Sequence, residues 1–136
     1  MADENKSFNE RRRFVRVDCL MAGNILSIDT QDDVTTGLTK NVSAGGLLFK
    51  SKKSYEIGQT LVVSINEGAV KELDENLAGV IKTPAYVLGQ IVRKEAFDNG
   101  EFYEYGVCFV RNDEEGLDYL NVFVNLINQI EFRDDQ

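Results

Sequence analysis

The sequence contains no histidine, one proline and two cysteines among its 136 residues. Without histidine it lacks the commonest general base of enzymes and the commonest protein ligand of zinc. Cys19 and Cys108 are too far apart in sequence for a CxxC pair, and reduced thiols in the cytoplasm are the default expectation. These absences weigh against a metalloenzyme or a triad hydrolase. We therefore expect no metal, no cofactor and no catalytic activity.

A long apolar run is also absent, because no stretch approaches the ~20 apolar residues that a membrane-spanning helix needs. The first residues, Met1 to Asn5, lack the basic and apolar regions of a secretory signal. Basic residues are outnumbered, with 15 Lys and Arg against 23 Asp and Glu and a net charge of −8. Such a surface repels DNA, RNA and anionic lipid at long range. We expect a cytoplasmic protein with no nucleic-acid partner and no membrane insertion.

Six segments show the alternation and the residue types that are typical of β-strands. They span residues 16–29, 34–42, 47–51, 60–66, 85–97 and 101–111. Asp98-Asn99-Gly100 lies between the last two, and Asn-Gly at such a place predicts a tight hairpin. Residues 67–82 have glycines near both ends, which predicts a surface excursion with a short helical piece. A chain of 136 residues accommodates one domain with one modest core.

The periodicity changes to that of a helix after Asn112, which we predict to be the N-cap, with Glu115 completing a capping box. One apolar stripe consists of Leu117, Leu120, Val124 and Ile127, and it is widened by Phe123, Leu126 and Ile130. The fold class expected is mainly β, a six-stranded antiparallel barrel with a C-terminal amphipathic helix. The wide stripe has two interpretations, namely docking on the barrel alone or docking plus a weak homodimer through the helix.

One basic cluster stands out against the acidic composition, because four of the 15 basic residues lie within Arg11–Arg16. Taken alone, the cluster has two interpretations. It is either a solvated N-terminal arm or a site for one small, highly anionic ligand. A second stretch, Asn41-Val42-Ser43-Ala44-Gly45-Gly46, bears on this choice.

The two stretches together resemble the motifs of PilZ domains. Arg12 to Arg16 matches the RxxxR pattern, and Asn41 to Gly46 matches the [D/N]xSxxG pattern. The resemblance extends over about residues 10–130 and implies a small β-barrel that binds the bacterial messenger cyclic diguanylate and is not an enzyme. We divide the chain into a flexible arm (1–9), the PilZ domain (10–131) and a polar tail (132–136).

The resemblance also implies the roles of individual residues. Arg12 and Arg16 would contact guanine and phosphate, Arg11 and Arg13 would supplement them, and Gly46 would let the ligand or the arm approach the backbone. Arginine suits this task because it pairs in bidentate fashion with a phosphate or with the guanine O6/N7 edge. Asn41 and Ser43, two apart at a strand end, would hydrogen-bond a guanine edge from the same side. Many family members have Asp where this chain has Asn41, so we expect weaker binding.

The function expected is a cyclic diguanylate receptor whose arginine arm rearranges on binding and signals to a downstream protein. One alternative is a protein-interaction module of the same fold that works without the nucleotide. Another is an oligonucleotide-binding barrel, which the net charge of −8 disfavours. Arg93 could line the ligand site, although a solvated arginine on a strand is the simpler interpretation. Cys19 is expected to point inward from its strand and Cys108 outward.

Overall fold

The computed structural model describes residues 16–29 and 34–134, and for residues 114–117 and 131–134 it describes the backbone alone. Six strands close into a barrel in the order β1-β2-β3-β6-β5-β4, and each neighbouring pair is antiparallel. The predicted six-stranded antiparallel barrel is confirmed. The strands are β1 (Val17–Ser27), β2 (Thr35–Val42), β3 (Gly46–Ser51), β4 (Thr60–Ser64), β5 (Tyr86–Phe97) and β6 (Phe102–Phe109).

Aromatic side chains fill the centre of the barrel. Phe49 on β3 stacks on Tyr105 of β6 with ring centroids 4.7 Å apart, and Tyr55 meets Phe49 edge-on at 6.1 Å. All three residues are fully buried. Offset-stacked and edge-on pairs add ~0.5–1.5 kcal/mol each beyond the area that they bury. The alternation of β3, in which Leu47, Phe49 and Ser51 point inward, thus supplies a rigid interior.

A second apolar layer lies between the barrel and the C-terminal helix α2 (Glu114–Asp134). All five residues of β4 are buried because its two faces are both covered. Leu61 and Val63 belong to the interior core, whereas Val62 packs in the layer under the helix. A strand buried on both faces explains why its sequence is a continuous apolar run instead of an alternating one.

The helix docks through the widened side of the predicted apolar stripe, and part of the main stripe stays exposed. Its buried residues are Phe123, Leu126, Ile127 and Ile130, which follow the i, i+3, i+4, i+7 spacing of one helical face. Leu120 and Val124, assigned to the main stripe from sequence, remain 38% and 47% exposed. The helix begins at Glu114, two residues after the predicted cap Asn112. The larger side chain of Phe123 buries more apolar area than Val124 would, so the helix rotates toward it.

The short helical piece predicted within residues 67–82 is confirmed, but the segment is not a surface excursion because its apolar side chains are buried in the core. Helix α1 (Glu67–Leu73) continues into a 3-10 turn (Asp74–Leu77). Ala69, Leu73 and Leu77 are each 1% exposed and pack in the interior core. The side chain of Asn66 caps α1 by accepting a hydrogen bond from the Ala69 N–H at 3.0 Å. Three apolar positions spaced four apart therefore marked a buried face.

The β5–β6 hairpin turns where Asn-Gly predicted it. Asp98, Asn99 and Gly100 adopt left-handed conformations with φ of 50°, 59° and 86°. Asn and Asp tolerate this region better than other residues with a side chain, and Gly adopts it freely. In the described part of the chain, no helix has the length and apolarity needed to cross a membrane.

Candidate functional site

A groove of about 570 Å³ runs along the outer surface of the barrel beside the β2–β3 turn. Of the residues that the sequence assigned to a ligand, Arg16, Asn41, Ser43 and Gly46 all line it. Arg11, Arg12 and Arg13 lie outside the described residues. Arg16 and Asn41 are separated in sequence by β1 and most of β2, and they meet because the two strands are antiparallel neighbours with Val17 opposite Val42.

The β2–β3 turn is a two-residue hairpin loop, Ala44-Gly45, closed by Ser43 and Gly46. The Ser43 N–H donates to the Gly46 carbonyl at 2.9 Å, and the Ser43 hydroxyl donates to the same oxygen at 3.4 Å. The Gly45 carbonyl accepts from the Phe109 N–H at 2.9 Å. These bonds fix the backbone of the motif. Ser43 can turn its hydroxyl to a ligand only by giving up a long, weak hydrogen bond.

Gly46 is required by the neighbouring strand. A Cβ at this position would overlap the Val107 carbonyl oxygen of β6, whereas a Cβ at Gly45 would meet nothing within 4 Å. From sequence, Gly46 was expected to admit the ligand or the arm. The close approach that the structure contains is that of the β6 backbone, so this glycine supports the barrel itself.

Asn41 has a left-handed backbone conformation with φ of 54°. The β1–β2 register shifts between Val17 and Leu20, so β1 bulges opposite this residue. Asn tolerates the left-handed region at lower cost than most residues because its short polar side chain bonds locally. A bulge beside a groove commonly re-aims a side chain. The left-handed backbone conformation and the bulge opposite it thus occur at Asn41, the first residue of the motif.

Arg16, Asp18 and Asn41 form a small polar network at the rim of the groove. The Arg16 Nε lies 3.8 Å from Asp18 Oδ1, and both side chains are largely exposed. With its amide nitrogen facing Asp18, Asn41 donates to Oδ1 at 3.2 Å and accepts from Arg16 Nη2 at 3.3 Å. Sequence reasoning assigned no role to Asp18. Its carboxylate is paired with the Arg16 guanidinium, the group that would otherwise pair with an anionic ligand.

Arg93 lines the same groove and is 58% exposed. A bulge between Ile91 and Arg93 breaks the alternation of β5, and the side chain lies over Gly106, where a Cβ would come 3.2 Å from Arg93 Cβ. Glu104 holds the guanidinium at 3.6 Å and is itself paired with Lys40 at 3.0 Å. The glycine at position 106 leaves room for this close approach of Arg93, as glycines inside strands often do.

A family model for the PilZ domain matches residues 10–126. The chain belongs to the PilZ family. PilZ domains are binding modules, and in this one Arg16, the last residue of the RxxxR stretch, lies at the same groove as Asn41, Ser43 and Gly46 of the NxSxxG stretch.

The barrel is also similar to a solved structure, that of Bacillus subtilis Inhibitor of motility (MotI/DgrA), with a TM-score of 0.50 and 17% sequence identity. The match covers 88% of this chain and 52% of that one, so the PilZ chain spans about half the length of that protein. At this identity the likeness shows a shared fold. Among curated proteins, none matches the chain with significant sequence similarity.

Arg111 holds the β2–β3 turn of the PilZ motif through a hydrogen bond, and sequence reasoning missed it. Its Nη2 donates to the Ala44 carbonyl at 2.9 Å, and its Nη1 donates to the Ala78 carbonyl at 2.9 Å. One guanidinium thereby ties the β2–β3 turn to the segment that follows α1. No short-range pattern signals this contact, because Ala44 and Arg111 are 67 positions apart.

The cysteines of the PilZ domain lie as their strand positions predicted. Cys19 is half-buried against the interior core, and Cys108 is exposed in the groove. The described residues contain no group of three His, Cys, Asp or Glu side chains that could hold a metal ion.

Proposed function

We propose that this PilZ domain is a receptor for cyclic diguanylate, which binds in the groove lined by Arg16, Asn41 and Ser43. The observation that carries the proposal is that Arg16 lines one groove together with Asn41, Ser43 and Gly46 within a PilZ barrel. A groove of this size lies in the range of small-molecule sites, ~300–1,000 Å³. The role is that of a binding protein and not of an enzyme.

The chemistry of the groove suits a compact dianion that carries two guanines. Arg16 and Arg93 bring two guanidinium groups to its lining, and each can pair with a phosphate or with a guanine Hoogsteen edge. Asn41 and Ser43 add neutral hydrogen-bonding groups, worth ~0.5–1.5 kcal/mol each against ~1.5–3 for charged ones. In this proposal the arginines supply affinity, whereas Asn41 and Ser43 select the base.

The remaining arginines of the cluster are close enough to Arg16 along the chain to reach the groove. Arg12 is four residues before Arg16, and an extended chain spans at most ~3.6 Å per residue, so it starts within about 14 Å of the groove. Arg11 and Arg13 flank it. We propose that the ligand cross-links this arm to the barrel, and that the new surface is offered to a downstream protein in the cytoplasm.

Isothermal titration with cyclic diguanylate tests the proposal. We expect binding by the wild type, with affinity about 10- to 100-fold lower in Arg16→Ala and in Arg12→Ala because each loses a charge-assisted hydrogen bond. Lys71→Ala is the matched control, since it removes one exposed cation from α1, outside the groove. No heat with the wild type, or equal affinity for wild type and Arg16→Ala, would contradict the proposal.

A second candidate function is a PilZ-fold interaction module that works without the nucleotide. The observation in its favour is that Asp18 and Asn41 already engage the Arg16 guanidinium. Under this alternative the titration gives no heat for any variant, while a complex with a protein partner forms equally with and without cyclic diguanylate.

A further inference from the structure

A second groove, larger than the nucleotide groove, lies at the other end of β2. It encloses about 930 Å³ and is lined by the Thr35–Leu38 end of that strand and by residues of β1, β3 and the start of β6. None of the described residues lines both grooves. Whatever occupies this second groove therefore does so without displacing a ligand at Arg16 and Asn41.

The floor of the second groove is apolar. Leu38 is 42% exposed there and lies in register with Ala22 on one side and Lys50 on the other. Phe102 and Val34 contribute further apolar surface. Exposed apolar side chains are ordinary when scattered singly, but a concave group of them is typical of an interaction site.

The rim of this groove is cationic in a protein of net charge −8. Lys50, Lys52 and Lys53 all line it, three lysines within four residues. Lys50 Nζ lies 5.5 Å from the centroid of the Phe102 ring, and Lys53 Nζ lies 5.4 Å from that of Tyr55. The Phe102 ring orients the Lys50 ammonium group but does not neutralise its charge.

Two lysines of this rim, Lys50 and Lys52, are not neutralised by a carboxylate of the described residues. The cross-strand neighbour of Lys50 is Glu104, yet Glu104 pairs with Lys40 at 3.0 Å and with Arg93 at 3.6 Å. Among the described residues, Lys50 and Lys52 form no ion pair. The lysines are thus available to carboxylates from another molecule.

We propose that this lysine-rimmed groove docks an acidic amphipathic segment of a partner protein. The apolar side chains of the segment would lie on Leu38 and Phe102, and its Asp or Glu side chains would meet Lys50 and Lys52. A long nucleic acid or an anionic membrane would have to approach against the net negative charge, whereas a short segment meets only the local cations. A flat membrane also does not fill a concave surface. The docking surface goes beyond nucleotide binding and does not depend on it.

The test measures binding of a fluorescein-labelled 14-residue peptide by fluorescence anisotropy. The peptide carries Leu at the i, i+3, i+4 and i+7 positions and Glu or Asp elsewhere, and a second peptide has Lys at every acidic position. We expect the wild type to bind the acidic peptide and not the basic one. The Lys50→Glu/Lys52→Glu variant should bind it at least 10-fold more weakly.

The matched control is Lys71→Glu/Lys82→Glu, which makes the same change in net charge at two residues outside the groove. Its affinity for the acidic peptide should stay within twofold of that of the wild type. Leu38→Ser, which leaves the charge unchanged, should weaken binding at least threefold. Thermal melts of each variant verify folding.

Four outcomes would overturn the proposal. The first is no binding of the acidic peptide by the wild type, and the second is an equal loss of affinity in the two charge-reversal variants. The third is tighter binding of the wild type to vesicles with phosphatidylserine than to the acidic peptide. The fourth is a wild-type dimer in sedimentation that Lys50→Glu/Lys52→Glu abolishes. The last two would identify a membrane or a second copy of the chain as the occupant.

Discussion

At the scale of single residues, Asp18 is the group most at odds with anion binding. Its carboxylate lies 3.8 Å from Arg16 Nε and accepts from the Asn41 amide at 3.2 Å, so it contacts both motif residues at the groove. The pair is largely exposed, and exposed ion pairs contribute only ~0–1 kcal/mol. The cost that Asp18 imposes on a dianion is therefore small but measurable.

Asp18→Asn should raise the affinity for cyclic diguanylate about two- to fivefold, because it releases Arg16 and removes a like charge from beside the ligand. Titration of wild type and variant under the same buffer measures this. Glu72→Gln removes one carboxylate from α1 and should leave the affinity unchanged. Unchanged or weaker binding by Asp18→Asn would mean that Asp18 orients Arg16 for the ligand instead of competing with it.

Tyr105 provides a residue-scale prediction on stability. Burial raises the pKa of Tyr105 to about 12, against the opposing effect of the hydrogen bond from the Tyr55 N–H. Its hydroxyl donates to the Lys53 carbonyl at 2.7 Å and accepts from the Tyr55 N–H at 2.8 Å, which requires the protonated phenol as donor. The folded state thus retains a proton that the unfolded chain loses near pH 10.

Because the folded pKa is the higher one, the stabilisation is complete below pH 10 and is lost as the pH rises toward 12. The loss amounts to at most about 3 kcal/mol, since one pKa unit corresponds to ~1.4 kcal/mol. Urea unfolding at pH 9 and pH 11 measures about half of this loss, ~1.4 kcal/mol, because the folded state is still mostly protonated at pH 11. Tyr105→Phe, although less stable at pH 9, should lose less between the two pH values. Equal losses in both proteins would contradict the assignment.

At the scale of elements, the two glycines of the β2–β3 turn differ in whether the fold tolerates a side chain. Gly46 has no room for a Cβ, whereas Gly45 does. Gly46→Ala should destabilise the protein by about 1–3 kcal/mol or more, because the new Cβ overlaps the Val107 carbonyl and forces β3 and β6 apart. Gly45→Ala is the matched control. Its Cβ meets nothing within 4 Å, so we expect a change within about 0.5 kcal/mol.

Urea denaturation of the two glycine variants gives both values. If Gly46→Ala is as stable as Gly45→Ala but fails to bind cyclic diguanylate, the glycine serves the ligand and not the barrel. If both variants are stable and bind the ligand, the close approach of β6 does not constrain this position.

Elements with a strong local signal could be predicted from the sequence. The hairpin at Asn99-Gly100 depends on neighbours along the chain and was predicted. β3 was predicted as a strand, but which of its side chains point inward was not. The docking face of α2 depends on which apolar patch the barrel offers, and Phe123 was not separable from Val124 by periodicity alone. The burial of Leu73 and Leu77 likewise results from a tertiary contact that composition does not encode.

The site divides in the same way. Arg16, Asn41, Ser43 and Gly46 were named from motifs, and the structure brings them to one groove. Arg93 enters the groove because a bulge in β5 shifts the register, and Arg111 holds the turn across 67 positions. Bulges and long-range hydrogen bonds are set by strand pairing, so a single sequence without its sheet gives no direct sign of them.

At the scale of the whole molecule, the net negative charge affects the affinity for any anionic ligand. The two cationic regions of the structure, the Arg16–Arg93 groove and the lysine-rimmed groove, interrupt a surface of net charge −8. Salt acts on both the attraction within the groove and the repulsion from the rest of the surface. The nearer charges dominate because the Debye length at 0.1 M salt is only ~10 Å.

The affinity for cyclic diguanylate should therefore fall as NaCl rises from 50 to 500 mM, by about three- to tenfold, since phosphate–arginine pairing is partly screened. Arg16→Ala should show a shallower dependence because it has one less cation to screen. Lys71→Ala, with the same net charge as Arg16→Ala, should retain the wild-type slope. Titrations at four salt concentrations measure the slopes. Parallel slopes for wild type and Arg16→Ala would place the ligand away from Arg16, and an affinity that rises with salt would mean that whole-surface repulsion outweighs the groove.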